Sequence, residues 1–289
     1  MAERGRLILK GVGGFYTVWD DGTSVVCKLR GRLRLAHLRP LPGDRVRIRV
    51  LSDGSGLIDE ILPRQNAFVR PPVANIETLV IVAARAEPET DPFLIDRMTA
   101  LAESKGIGVL IALNKTDLKP ADKLADVYRA VGYPTILLSA ETGAGVDELA
   151  QFIAGKVVAF TGNSGVGKSS LLNRLRPELA LQVGEVSRRG GRGRHTTRHT
   201  ELLPMQGGAW AADTPGFSTF DDESLEQAQL RDLFPEFRPF EGACRFTGCH
   251  HIGVAGCAVL EALARGVIQP SRHASYARLY RAASERKRF

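Results

Sequence analysis

The chain predicts a multidomain protein: an N-terminal OB-like β-barrel, a central α/β domain of the P-loop kind with its motifs in permuted order, and a small helical C-terminal domain built around a metal. Three observations carry that reading. Residues 1–66 alternate apolar and polar positions in short runs broken by turn signals, residues 72–220 alternate β-rich apolar runs with helical stretches, and three cysteines with two histidines crowd residues 244–257. The boundaries that follow are 1–68, 69–221 and 222–289.

The 289 residues are 44% apolar and 25% charged, an ordinary balance for a soluble chain with a full core. No apolar run approaches the roughly 20 residues of a membrane span, and the N-terminus has no compact apolar segment with a cleavage site, so a cytoplasmic protein is expected. Three of the four cysteines cluster while Cys27 stands alone, which favours a metal site over disulfides. Cys27 itself reads as a small buried apolar residue in a strand. Net charge is +7, and its distribution matters more than its size: residues 1–66 hold 12 Lys/Arg against 7 Asp/Glu, and residues 226–289 hold 10 against 6. Two basic flanks around a near-neutral centre suit a polyanion, most commonly nucleic acid.

In the first region the runs Arg6-Leu7-Ile8-Leu9, Tyr16-Thr17-Val18-Trp19, Ser24 to Leu29 and Arg45 to Val50 read as strands. Gly13-Gly14, Asp20-Asp21-Gly22, Pro42-Gly43-Asp44 and Asp53-Gly54-Ser55-Gly56 punctuate them as hairpin turns. About five short strands in this length fit a small closed barrel of the OB type. The strand-rich stretch Lys28-Leu29-Arg30-Gly31-Arg32-Leu33-Arg34 would then line a groove that follows phosphates, with the tail from Arg278 to Arg288 as a second basic feature. Pro71-Pro72 suggests a hinge to the next domain.

Beyond it, strands at 78–84, 108–113, 134–138 and 156–161 alternate with helices at 92–104, 121–130, 146–154 and 168–175. Such alternation argues for a mostly parallel sheet covered on both faces. The strand Val157 to Thr161 runs into Gly162-Asn163-Ser164-Gly165-Val166-Gly167-Lys168-Ser169 and on into a helix that opens with Ser170. That context marks a phosphate loop: backbone amides and the helix N-terminus cradle phosphates, Lys168 reaches the β- and γ-oxygens, and Ser169 ligates Mg²⁺.

Asn114-Lys115-Thr116-Asp117 follows the strand 108–113. The Asp117 carboxylate can accept the N1 and N2 hydrogens of guanine, a pair adenine lacks, while Lys115 packs over the base and Asn114 ties loops together. Ser139 and Ala140, after the strand 134–138, open a segment that would offer a backbone amide to guanine O6. The guanine motif precedes the phosphate loop, the reverse of the usual order, which is the mark of a circularly permuted GTPase domain. Asp117 and Lys168 must then line one pocket after folding.

Asp213 follows the apolar run 209–212 and suits an acid that holds Mg²⁺ through water, with the Gly216 amide meeting the γ-phosphate. Between loop and acid lies a Gly-rich stretch with Arg188, Arg189, Arg192, Arg194 and Arg198, in the place of switch I. A threonine here, Thr197 or its neighbour Thr196, should coordinate Mg²⁺ in the triphosphate state, and the segment could order on nucleotide or RNA. Phe217 stands where many GTPases orient water with glutamine, so His195 is the candidate for that task. Intrinsic hydrolysis should be slow and partner-stimulated; gains of about 10⁵, roughly 7 kcal/mol, occur in such enzymes.

Cys244, Cys249 and Cys257 with a histidine, His250 or His251, make the donor set of one closed structural zinc site, with no position left for a catalytic water. In so small a domain the metal should take the place of a hydrophobic core, contributing on the order of 10 kcal/mol.

Taken together, the motif order, the basic barrel before it and the Cys/His cluster after it resemble the RsgA family of small ribosomal subunit biogenesis GTPases. The resemblance extends to Gly193-Arg194-His195-Thr196-Thr197 and to Leu233-Phe234-Pro235-Glu236-Phe237. It implies GTP hydrolysis stimulated by the 30S subunit, rRNA contact through barrel and zinc domain, zinc with His251 as the fourth ligand, and magnesium with GTP or GDP. A monomer is expected. Arg198 departs from the family pattern, which commonly has a third threonine there. The rival readings are an ATP-preferring phosphate-loop enzyme, an RNA-binding assembly factor with GTP as a passive ligand, and a GTPase acting on the large subunit.

Overall fold

The computed structural model describes residues 5–35, 39–69, 71–176, 200–213 and 225–286. The chain divides into two compact units. The first joins residues 1–79 to 146–161 and 168–219, and the second joins 80–145, 162–167 and 220–289.

The first unit opens with a closed barrel. Strands β1 (Arg6–Val12), β2 (Phe15–Asp20), β3 (Thr23–Leu29), β4 (Arg45–Val50) and β5 (Gly56–Ile61) pair in the order β1-β2-β3-β5-β4, and β4 returns to β1 through Arg6↔Val46 and Leu7↔Arg45. Alternation fills the interior with Ile8, Val18, Val25, Cys27, Val46 and Ile58. Burial pushes the Cys27 thiol up to about 11, which leaves it neutral. The sequence reading carried the strand signal through Arg34, but β3 ends at Leu29 and Gly31–Leu35 forms a short helix, α1. The alternating arginines mimic a strand's period while none of the five helical residues is buried.

Pro71-Pro72 is no open hinge either. It lies in the connection of a hairpin between β6 (Ala67–Phe68) and β7 (Val73–Ala74), where rigid prolines suit a tight reversal. The buried Asp44 carboxylate clamps Arg64 at 2.7 and 2.8 Å and so fastens the chain leaving the barrel.

From β1 the pairing continues outward in the same unit. β1 meets β12 (Glu201–Pro204) antiparallel, β12 meets β13 (Trp210–Asp213) antiparallel, and β13 meets β11 (Val157–Thr161) in parallel. Trp19 of the barrel packs edge-on against Trp210 of β13, with ring centroids 5.2 Å apart. Helices α4 (Val146–Ile153) and α5 (Lys168–Leu175) belong to this unit.

β8 (Thr78–Ala84) belongs to the second unit from Val80 onward, and there it lies beside β9 (Gly108–Asn114) and β10 (Thr135–Leu137), β10 parallel to β9. β8 is buried throughout, as a strand covered on both faces must be. Helix α2 (Pro92–Ser104) starts with Asp91 accepting from the Phe93 amide and Pro92 in the first turn. Helix α3 (Asp122–Val131) ends on left-handed Gly132.

The C-terminal part, with α6 (Ala258–Ala264) and α7 (Pro270–Arg286), overturns one expectation. The metal does not replace a core there. Leu230, Leu233, Phe234, Phe237, Val259, Ile268, Tyr276 and Leu279 form a packed cluster that takes in Cys249, Cys257 and Ala100 of α2. Aromatic rings do much of the filling: Phe237 lies 4.9 Å from Tyr276 and 5.5 Å from Phe234.

At the edge of this cluster Arg272 of α7 is fully buried. Its guanidinium binds Glu236 through Nε at 2.7 Å and a terminal nitrogen at 3.1 Å, and reaches Asp96 Oδ1 of α2 at 2.8 Å and Thr99 Oγ1 at 3.0 Å. Tyr128 of α3 adds a donor to the same Asp96 oxygen at 3.0 Å. Burial pushes the Asp96 carboxyl up and the Arg272 charge draws it back. Replacing Arg272 with methionine leaves Asp96 buried without its cation, so denaturant unfolding should show a loss of about 3–5 kcal/mol.

Candidate functional site

The predicted phosphate loop starts where β11 stops and ends where α5 begins. Gly162 has φ +142, and a Cβ there would stand 2.1 Å from the Val82 carbonyl oxygen. Gly167 has φ +95, and its Cβ would stand 2.3 Å from Asn114 Nδ2. Both positions therefore require glycine on two counts, backbone conformation and space. Between them Val166 is buried, Asn163 is half-buried, and Ser164 and Gly165 face solvent. Lys168, Ser169 and Ser170 form the first turn of α5, and burial holds the Lys168 ammonium below the ordinary lysine range.

Asn114 ends β9 and is buried. Its amide nitrogen donates to the Val166 carbonyl of the phosphate loop at 2.8 Å, and its amide oxygen accepts from the Ala140 backbone at 2.9 Å. One side chain thus joins the guanine motif, the phosphate loop and the segment that begins at Ser139. Lys115 takes a left-handed conformation, φ +64, and its ammonium donates to the Glu87 carbonyl. Thr116 is pinned through its hydroxyl to Leu138 O at 3.0 Å, and Asp117 is exposed on the turn that follows. Helix α3 starts only at Asp122, so neither Thr116 nor Asp117 caps it. Ser139 is buried, its hydroxyl accepting from the Thr142 amide at 3.1 Å.

Asp213 is the last residue of β13, paired in register with Glu201. His195, Thr196, Thr197, Gly216, Phe217 and the arginines from 188 to 198 lie outside the described residues.

The second cluster gathers Cys244, Cys249, His251 and Cys257, with all four donor atoms within 4.8 Å of one another. Cys244 Sγ lies 3.9 Å from Cys257 Sγ, and His251 Nδ1 lies 3.3 Å from Cys257 Sγ. Two sulfurs on a tetrahedral zinc stand about 3.8 Å apart at ordinary Zn–S lengths, so the group could hold one zinc ion. His251 reaches inward through a left-handed backbone, φ +58, that few non-glycine residues adopt, and it donates its own amide to Cys249 Sγ at 3.4 Å. His250 turns away: its ring packs 5.1 Å from Tyr280. Burial and the nearby Arg231 hold the His251 imidazole below its usual range, toward the neutral form a metal needs. Burial pushes the Cys257 thiol up to about 11, so a cation must displace its proton.

On the barrel, Gly13, Phe15, Tyr16, Lys28, Arg34 and Arg39 line a groove of about 780 Å³. Lys28 Nζ sits 4.9 Å over the half-exposed Phe15 ring. Arg30 and Arg32 turn instead to β5, bonding the Asp59 carboxylate at 3.3 Å and its carbonyl at 2.9 Å. In α7, Arg278 stacks 3.7 Å over Phe93, while residues 287–289 lie outside the described residues. Sequence reasoning missed Arg272 and Phe15: a single arginine in a basic helix and a single aromatic in a strand give no pattern to detect.

Truncating Asn114 to alanine strands a buried acceptor at Val166 and a buried donor at Ala140, each worth about 1–3 kcal/mol. The variant should unfold at lower denaturant and bind GTP weakly in equilibrium titration. Cys257→Ser should lower zinc content measured by atomic absorption and depress the melting temperature; acidification should strip metal from the unmutated chain as protons return to sulfur.

Among the described residues no helix is long and apolar enough to cross a membrane. The RsgA GTPase model matches residues 61–223 and the RsgA N-terminal domain model matches residues 5–58. The chain is 44% identical over 271 residues to the small ribosomal subunit biogenesis GTPase RsgA of Moorella thermoacetica, covering 93% of each. It is 43% identical to that of Geobacillus kaustophilus, with 97% of each covered. Among solved structures it is similar to YjeQ from Thermotoga maritima (TM-score 0.82, 33% identity, 97% of this chain and 98% of that one). It is also similar to YloQ, a circularly permuted GTPase (TM-score 0.84, 30% identity, 99% and 96%). With its closed five-stranded barrel, its GTP-hydrolysing domain in permuted order and its Cys/His cluster, the chain belongs to the RsgA GTPase family.

Proposed function

We propose that this GTPase serves late assembly of the small ribosomal subunit in the cytoplasm, binding rRNA in its GTP form and hydrolysing GTP when the 30S particle stimulates it. The observation that carries the reading is the double hydrogen bond of Asn114, which joins the guanine motif to the phosphate loop despite their inverted order. The names of the relatives supply the small subunit, and the basic groove at Phe15 and Lys28 suits an RNA strand. The division into a barrel (1–68), a GTPase domain (69–221) and a zinc domain (222–289) belongs to the same proposal, as does a monomeric state.

In this reading the amides of 162–167 and the first turn of α5 receive the phosphates, Lys168 offsets their charge, and Asp117 reads guanine with Lys115 over the base and the Ser139-Ala140 segment near O6. Ser169, Thr197 (or Thr196) and Asp213 would hold magnesium, which when bound supplies positive charge at the β- and γ-oxygens. Gly216 offers its amide to the γ-phosphate. His195 orients the attacking water and needs no strong basicity for it. Cys244, Cys249, His251 and Cys257 would hold zinc and set the turns between the helices of the last domain.

Hydrolysis measured alone, with purified 30S and with purified 50S particles tests the proposal. Acceleration by 30S only is expected; acceleration by 50S only, or equal 30S binding with GDP and with a GTP analogue, would give the function to a rival reading. Lys168→Ala should abolish nucleotide binding. His195→Ala should cut stimulated kcat by about 10²-fold or more while leaving GTP affinity near that of the unmutated chain.

A further inference from the structure

Three strands of the first unit set Lys10, Glu201 and Asp213 in one row. Lys10 is the β1 residue in register with Glu201 of β12, and Glu201 in turn is in register with Asp213 of β13. The Lys10 ammonium reaches Glu201 Oε1 at 3.0 Å, with both side chains a little over two-fifths exposed. In its pairing with β2, β1 has a register shift between Ile8 and Lys10. Before it, Arg6 and Leu7 close the barrel onto β4; after it, the strand meets β12. Bulges re-aim strands in this way, and they also set where pairing stops.

Glu201 opens β12 and Asp213 ends β13, so their pairing fixes the register at the strand end that carries the magnesium acid. Lys10 ties the opening residue of β12 to the barrel through that ion pair.

We infer that Lys10 is a positioning residue for GTP hydrolysis: its ion pair with Glu201 anchors the start of β12 on the barrel strand β1, at the position in register with Asp213, so the barrel helps to set the geometry of the hydrolytic centre. The inference rests on the role proposed above for Asp213. An exposed ion pair contributes little to overall stability, so its effect should appear in turnover and not in melting.

The test is single-turnover GTP hydrolysis and magnesium titration on the full chain, without ribosomal particles, so that phosphate contact by Lys10 cannot contribute. The series comprises Lys10→Gln, Glu201→Gln and the K10E/E201K exchange. Each single change should lower kcat about fivefold at unchanged GTP KM and raise the magnesium needed for half the rate, with melting close to that of the unmutated chain. The exchange should restore both. Single variants that hydrolyse at the unmutated rate, or a loss that persists in the exchange, would overturn the inference. Lys168→Ala run in the same series checks the underlying reading separately: turnover that survives it would sink the phosphate-loop assignment whatever Lys10 does.

Discussion

A carboxamide offers one acceptor and two donors on a single short stalk, and the loops that meet at Asn114 depend on that property. The side chain reaches 52 positions along the chain to Val166 and 26 to Ala140. A carboxylate would lose the donor and an aliphatic side chain would lose both groups. Because a side chain rather than a connection holds these loops together, their order along the chain is free to change while their contact is kept. Gly167 is the complement of the same contact, since any Cβ would occupy the space of the Asn114 amide.

The Arg272 network acts on a different principle. Desolvating a guanidinium and two carboxylates is costly, and the gain from pairing them roughly offsets that cost. What the arrangement gives is discrimination: α7 can seat against α2 in the orientation that satisfies Asp96, Thr99 and Glu236 together, and other seatings leave a buried charge exposed to nothing. The neighbouring aromatic cluster supplies the attraction, and the charged network supplies the choice of register. The Cys/His group sits within that cluster, so a bound metal would stabilise turns that already have a core beside them.

Much of this architecture was legible because its signals are periodic or contextual. The strands at 78–84 and 157–161 are continuous apolar runs, and α2 and α5 fall where the pattern puts them. The strand–loop–helix frame around 162–167 was readable because strand, glycines, lysine and helix occur in one stretch. What escaped reading has physical reasons too. Arginines alternating in 28–34 imitate a strand although a short exposed helix begins at Gly31, and nothing local announces the four-residue β12, whose partners come from β1 and β13. Spacing cannot choose between adjacent His250 and His251; a left-handed backbone at the second makes the difference. Arg272 belongs to a helix whose Arg278 and Arg281 are exposed, and its partners lie 36 positions away at Glu236 and more than 170 away at Asp96 and Thr99.

The chain contains two tryptophans, and they are the two rings in contact, Trp19 on the barrel and Trp210 on β13. All indole emission therefore originates from one seam, where the barrel meets the strand that ends in Asp213. Intrinsic fluorescence becomes a local optical gauge: a change in its wavelength or intensity on adding nucleotide or RNA reports movement at that seam without any attached dye.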